Sequence, residues 1–250
     1  HYMETRRVIY PVLFKSAHIV TITLAGFIVF TARQSSSLFS WHPTLMAITF
    51  LFLTFEAVLV INSDHSPLIG FPRSTQILFH QIINVSSFAC AMFGFITIYY
   101  HKDISGSAHF KTWHGTMGVF TLVIHFLQII GGMITKYRYP YVQKLLNLKL
   151  KGLDLKIFHS SFGLLLFAVV WCTIICAMFS AWFSEHVTGI WWSICLLCAV
   201  FLAIVSMHQI LLFFILFVQI RIIEMFINGF VAIMRKLFYK PRKAVSEKSK

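Results

Sequence analysis

The chain has 250 residues, of which 58% are hydrophobic, 16% aromatic and 12% charged. A soluble domain carries about 25% charged residues, so this composition excludes one, and no polar stretch is long enough to fold as a separate unit. The net charge of +13 does not indicate nucleic acid as a partner, because the cations are sorted by loop rather than gathered into one patch.

A bilayer core takes about 20 apolar residues per spanning helix. Six segments meet that length: 11–32, 43–62, 77–99, 113–135, 157–183 and 189–220. The first follows Arg6 and Arg7, as a secretory leader would. It is longer than a leader's apolar region, and no small-residue cleavage site follows, so it reads as a retained span. The second opens at His42-Pro43 and contains Glu56, and the third follows Phe71-Pro72-Arg73 and opens near His80. The fourth opens at Trp113-His114. The longest loop, 136–156, carries Tyr137, Tyr139, Pro140 and Tyr141 among its lysines and leads to the fifth span with His159. After the sixth, Arg221, Glu224, Asn228 and Arg235 recur along one face. That pattern fits either a helix lying in the membrane interface or a cytosolic continuation of the sixth helix. The chain divides on this reading into a membrane domain, 10–220, and a basic amphipathic tail, 221–250.

Of the 21 lysines and arginines, all but Arg33, Lys102 and Lys111 fall at the N-terminus, in loops 63–76 and 136–156, or in the tail. This is the positive-inside bias, and it puts both termini and the 136–156 loop in the cytoplasm. All five cysteines fall inside predicted spans. Cys195-x-x-Cys198 has redox spacing, but it sits in an apolar run, where cysteine behaves as a small hydrophobe.

Twelve histidines are present, and ionisable groups inside a bilayer are costly and usually functional. Depth sorts them. His42 and His114 open the second and fourth spans from the non-cytoplasmic side; His80 and His159 open the third and fifth from the cytoplasmic side. Short loops make neighbouring helices antiparallel, so His42 lies level with His114 and His80 with His159. Two facing imidazoles at one height can grip a planar haem between them. The expected fold is therefore an all-α integral membrane protein of six helices, whose second to fifth helices form a four-helix core holding two haems b. His18, His125 and His208 have no partner level with them and read as structural. His125 lies 11 residues past His114 on the same face, about 16 Å deeper, where it can bond a haem edge or a backbone group.

Ser40-Trp41-His42-Pro43, His80-Gln81, Trp113-His114-Gly115-Thr116-Met117-Gly118 and His159-Ser160-Ser161-Phe162-Gly163 together resemble the cytochrome b561 family, over roughly residues 10–220. The stretch Ser36-Ser37-Leu38-Phe39-Ser40-Trp41-His42-Pro43 is similar to its small branch that consists of the b561 domain alone. The resemblance implies six helices, two haems b and commonly a homodimer, in the endoplasmic reticulum or a vesicle membrane. It implies the same histidine pairs, His42 with His114 for the non-cytoplasmic haem and His80 with His159 for the cytoplasmic one. It implies an electron taken from cytosolic ascorbate and delivered across the membrane to monodehydroascorbate or ferric iron. One departure stands out. The family's ascorbate site has several basic residues just before the third-helix histidine, and this chain has only Arg73 there. Lys149, Lys151 and Lys156, ahead of His159, can supply the missing charge.

Ascorbate is an anion, so Arg73, Lys151 and Lys156 are the candidate donor residues. Arg33, Lys102, His109 and Lys111 are the candidates on the far side, for an anionic acceptor or a haem propionate. Glu56 lies 14 residues past His42, deep enough that its carboxyl must be protonated or paired. A competing reading is a proton-coupled transporter using intramembrane histidines; such folds carry matching Gly/Pro-interrupted helices in two halves, and no such pair is evident. A di-iron hydroxylase needs histidines clustered on one membrane side, whereas these are scattered along the chain.

Overall fold

The computed structural model describes residues 2–61, 66–137 and 152–238. Among them, six helices are long and apolar enough to cross a membrane. We label them α1 (Tyr2–Arg33), α2 (Leu38–Val60), α3 (Arg73–Ile104), α4 (Trp113–Tyr137), α5 (Gly152–Met178) and, after the short α6 (Ala181–His186), α7 (Ile190–Phe238).

Local chemistry sets most of the ends. Pro72 precedes the first residue of α3, where a fixed φ and a missing N–H cost nothing. Gly106 reverses the chain after α3 with a φ of 64°, a left-handed conformation that glycine adopts without strain. Ser180 caps α6 by accepting the Phe183 N–H at 3.3 Å. The fifth span was expected to run to 183. It ends at Met178, because the Ser180 cap starts a separate turn there. α7, which contains the sixth span, runs unbroken for 49 residues, about 74 Å at 1.5 Å per residue. That exceeds a hydrocarbon core of about 30 Å, and no break separates an interfacial helix from the span.

α2 is not uniform. It opens with one tight turn (Leu38–Ser40), runs regularly over Trp41–Met46, widens over Ala47–Leu53 to i→i+5 bonding, and resumes at Thr54–Val60. A widened turn frees backbone groups that lipid cannot satisfy. Buried hydroxyls cross-link this stretch to itself and to α3. Thr54 Oγ1 donates to the Thr49 carbonyl at 2.8 Å and meets Ser87 Oγ of α3 at 2.8 Å, while Thr49 Oγ1 donates to the Ser87 carbonyl at 3.3 Å.

The main apolar cluster joins α1, α2, α5 and α7 through Phe14, Leu24, Phe55, Phe167, Trp171 and Leu202. A smaller one lies inside α2–α5, around Phe50, Ala91, Leu122 and Val170. Helices α2 to α5 thus enclose the centre, with α1 and α7 packed on the outside against α2 and α5. The structure also finds a partner for His18. Its Nδ1 meets Glu56 Oε1 at 2.7 Å between α1 and α2, which pairs the deep carboxyl as its position requires.

Candidate functional site: two facing histidine pairs

The four-helix interior brings the sequence-predicted histidines together as pairs. The rings of His42 (α2) and His114 (α4) face each other with centroids 6.1 Å apart. Those of His80 (α3) and His159 (α5) are 6.3 Å apart. In three of the four, the Nδ1 side is held by a backbone carbonyl of a neighbouring helix. His42 bonds Gly94 at 2.9 Å, His80 bonds Ala57 at 2.7 Å, and His114 bonds Thr173 at 3.2 Å. Such a bond fixes the tautomer and leaves Nε2 as the nitrogen without a carbonyl partner in each ring; in His80 it lies 3.5 Å from the Asn84 amide. His159 differs: its Nδ1 is buried without a partner.

Small residues let the helices approach. A Cβ at Gly94 would lie 3.1 Å from Leu45 Cβ and 3.3 Å from Met46 Cε, and one at Gly132 would lie 3.1 Å from His159 Cε1. Gly94 thus sets the α2–α3 contact and supplies the acceptor for His42. Between α4 and α5, Thr121 and Thr173 hydroxyls bond at 2.9 Å, and Gln128 Nε2 donates to the His159 carbonyl at 2.9 Å. Asn84 on α3 donates to the His80 carbonyl at 2.8 Å, with its amide 3.4 Å from the His80 ring.

A cavity of about 350 Å³ opens beside the upper pair, within the roughly 300–1,000 Å³ range of small-molecule sites. His42 and His114 line it, with Phe50 and Leu122 toward the membrane centre and Lys102 and His109 toward the α3–α4 loop. Two far-side candidates therefore share a wall with the histidines. Both are engaged: Lys102 Nζ donates to the Ala108 carbonyl at 3.1 Å, and His109 Nε2 meets Asp103 at 2.8 Å while stacking on Tyr99. Arg33 donates to Ser40 Oγ at 2.9 Å and covers the Trp41 ring at 4.4 Å; it does not line that cavity.

At the other end, Arg73 is exposed, and its Nη1 donates to the Ile61 carbonyl and to Gln76 Oε1. Lys156 is exposed on the first turns of α5, and Lys149 and Lys151 lie outside the described residues. Sequence reasoning missed a further cation. Lys136 Nζ donates to Gln81 Oε1 at 2.6 Å, with the Tyr137 hydroxyl 3.4 Å from the same oxygen. Its one sequence signal was Gln81 directly following His80.

His125 is fully buried, and neither ring nitrogen has a partner. It packs between Phe50 and Phe88, with ring centroids at 5.9 and 5.5 Å, so the neighbouring backbone group that a structural histidine would bond is not there.

An all-helical bundle of six membrane-length helices, with histidine rings paired at two places in its interior, defines a helical membrane protein. Residues 41–184 match the model of the eukaryotic cytochrome b561 family, and the chain belongs to that family. It is 33% identical over 200 residues to the transmembrane reductase CYB561D2 of Bos taurus, which covers 78% of this chain and 85% of the relative. It is 31% identical over 194 residues to the probable transmembrane reductase CYB561D1 of Mus musculus, covering 78% and 82%. It is 29% identical over 126 residues to the lysosomal membrane ascorbate-dependent ferrireductase CYB561A3 of Mus musculus, covering 50% and 49%.

Proposed function

We propose that this chain passes single electrons across the bilayer, from cytosolic ascorbate to monodehydroascorbate or ferric iron on the far side, through two haems b held by His42 with His114 and by His80 with His159. The observation that carries the reading is the ring spacing. A metal–imidazole bond is about 2 Å, so two imidazoles on opposite sides of one ion have centres about 6 Å apart; these pairs measure 6.1 and 6.3 Å. No group of three or more His, Cys, Asp or Glu able to hold a metal ion occurs among the described residues. A bare ion in either pair would thus find two protein ligands, which suits a porphyrin that brings four of its own. Held by His42 with His114 or by His80 with His159, a haem would supply one-electron relay and would leave no open site for oxygen.

The chain's own groups do the rest. The Gly94, Ala57 and Thr173 carbonyls engage three of the imidazoles at Nδ1, which leaves Nε2 as the nitrogen to take a metal and raises ligand basicity. Lys136 and Lys156 are exposed cations that, with Arg73 and Lys151, would concentrate the ascorbate anion near His80 and His159. Lys102 and His109 border the cavity shared with His42 and His114, the corresponding position for an anionic acceptor or ferric iron. The cation bias fits cytoplasmic termini. An endoplasmic reticulum or vesicle membrane and a homodimer complete the proposal. The transporter alternative has no observation in its favour: among the described spans α2 alone departs from regular α-helix, and it has no counterpart in a second half.

The test is the reduced-minus-oxidised spectrum of the purified chain in detergent. We expect a b-type α band, two haems per chain by pyridine haemochrome, and reduction on adding ascorbate. A flat spectrum overturns the reading; normal haem content with no reduction by ascorbate overturns the donor alone. Gly94→Val should crowd Leu45 and Met46, move the acceptor of His42, and cut haem content to about one per chain, since loss of such a bond costs roughly 10–100-fold in metal affinity.

A further inference from the structure

The pattern behind the four imidazoles is incomplete at one position. Three Nδ1 groups have a carbonyl, and His159 Nδ1 is buried with none. A side chain already bonded to this residue is Gln128 of α4. Its Nε2 donates to the His159 carbonyl at 2.9 Å, and its Oε1 is buried without a partner. An unused acceptor on Gln128 and an unused ring nitrogen on His159 thus belong to two residues already bonded to each other. A buried polar atom left so carries its desolvation cost uncompensated.

Glycines keep this junction open. A Cβ at Gly163 would lie 3.0 Å from Gln128 Nε2, and Cβ atoms at Gly131 and Gly132 would lie 3.9 and 3.1 Å from the His159 ring. Side chains there would drive the amide and the imidazole apart.

We propose that Gln128 is the positioning residue for His159, its Oε1 accepting the His159 Nδ1–H when the imidazole binds iron through Nε2. The amide then grips one residue twice: Nε2 on the carbonyl and Oε1 on the ring. This inference rests on the haem reading above. Its physical consequence has a sign. An acceptor behind a ligating imidazole makes it a stronger donor, which favours ferric over ferrous iron and lowers the reduction potential. A carboxylate in place of the amide oxygen is a stronger acceptor and lowers it further; an apolar side chain raises it.

The experiment is a spectroelectrochemical titration of the full chain in detergent, with electron paramagnetic resonance of the oxidised form, on wild type, Gln128→Leu, Gln128→Glu, Gln128→Asn and Gly163→Ala. The titration step of the His80–His159 haem is assigned as the one lost in His80→Ala. We expect that step to move up in Gln128→Leu and Gly163→Ala, down in Gln128→Glu, and to lie between wild type and Leu in Gln128→Asn, with the His42–His114 step unmoved. Loss of the haem in Gln128→Leu alone, with Glu still shifted down, also supports the proposal. Unchanged potentials, shifts of one sign in both Leu and Glu, or haem loss in every variant overturn it and leave the functional reading intact. Absence of haem from the wild-type chain overturns both.

Discussion

His114→Ala should leave the purified chain with one haem in place of two, and electron transfer across the membrane should stop. On the proposed function the imidazole is one of two protein ligands in its pair, so its removal should cost far more than the roughly 10–100-fold in affinity that follows loss of a hydrogen-bonding partner behind a ligand. His42→Ala should give the same result, because the two rings face each other at 6.1 Å. His80→Ala and His159→Ala should each remove the other haem, since theirs is the separate pair at 6.3 Å. The measurements are pyridine haemochrome content per chain and ascorbate-driven reduction of an acceptor trapped in proteoliposomes. The informative control is His125→Ala. That ring is enclosed by Phe50 and Phe88 and faces no second histidine, so both haems should remain. A haem lost from His125→Ala and kept in His114→Ala would show the pairs to be wrongly drawn.

Trp171→Ala should be the most damaging single change away from the histidines. Trp171 is 4% exposed in the cluster that fastens α5 to α1, α2 and α7. Its indole N–H donates to Ser206 Oγ on α7 at 2.8 Å. Emptying a buried tryptophan site costs about 3–5 kcal/mol. Trp171→Phe keeps most of the packing, and Ser206 still donates to the Leu202 carbonyl. That variant should lose only about 1 kcal/mol, the net value of one hydrogen bond. Thermal unfolding in detergent, followed by release of haem absorbance, separates the two. Equal losses for Ala and Phe would show that the hydrogen bond, and not the packed volume, secures α7.

The spans and the histidine pairs were legible because both follow from one-dimensional rules. Apolar length marks a helix that must satisfy its own backbone in lipid, and alternating direction then brings residues at matched distances from the ends to the same height. His42, His80, His114 and His159 obey that arithmetic without any knowledge of side-chain contacts. What the arithmetic omits is rotation about the helix axis. His18 pairs with Glu56 because their faces meet, and nothing in spacing from a helix end reveals that. The carbonyls of Gly94, Ala57 and Thr173 carry no side-chain signature at all. Gln128 was overlooked for a related reason: a glutamine in an apolar helix declares a hydrogen bond but not its partner. The cations' contacts were not legible either. Arg33, Lys102 and His109 are already engaged by local groups, and Lys136, which the loop bias counted only as a topological charge, lies against Gln81 beside His80.

The widened turn in α2 has a consequence for how the two levels are aimed. In a regular helix each residue advances the azimuth by about 100°, so fifteen steps from His42 to Ala57 would lock the bearing of the upper ring to that of the carbonyl steadying the lower one. The loose coil at Ala47–Leu53 absorbs part of that winding. It acts as a phase corrector, letting each half of one rod point where its own pocket demands, with the Thr49, Thr54 and Ser87 hydroxyls pinning the offset in place.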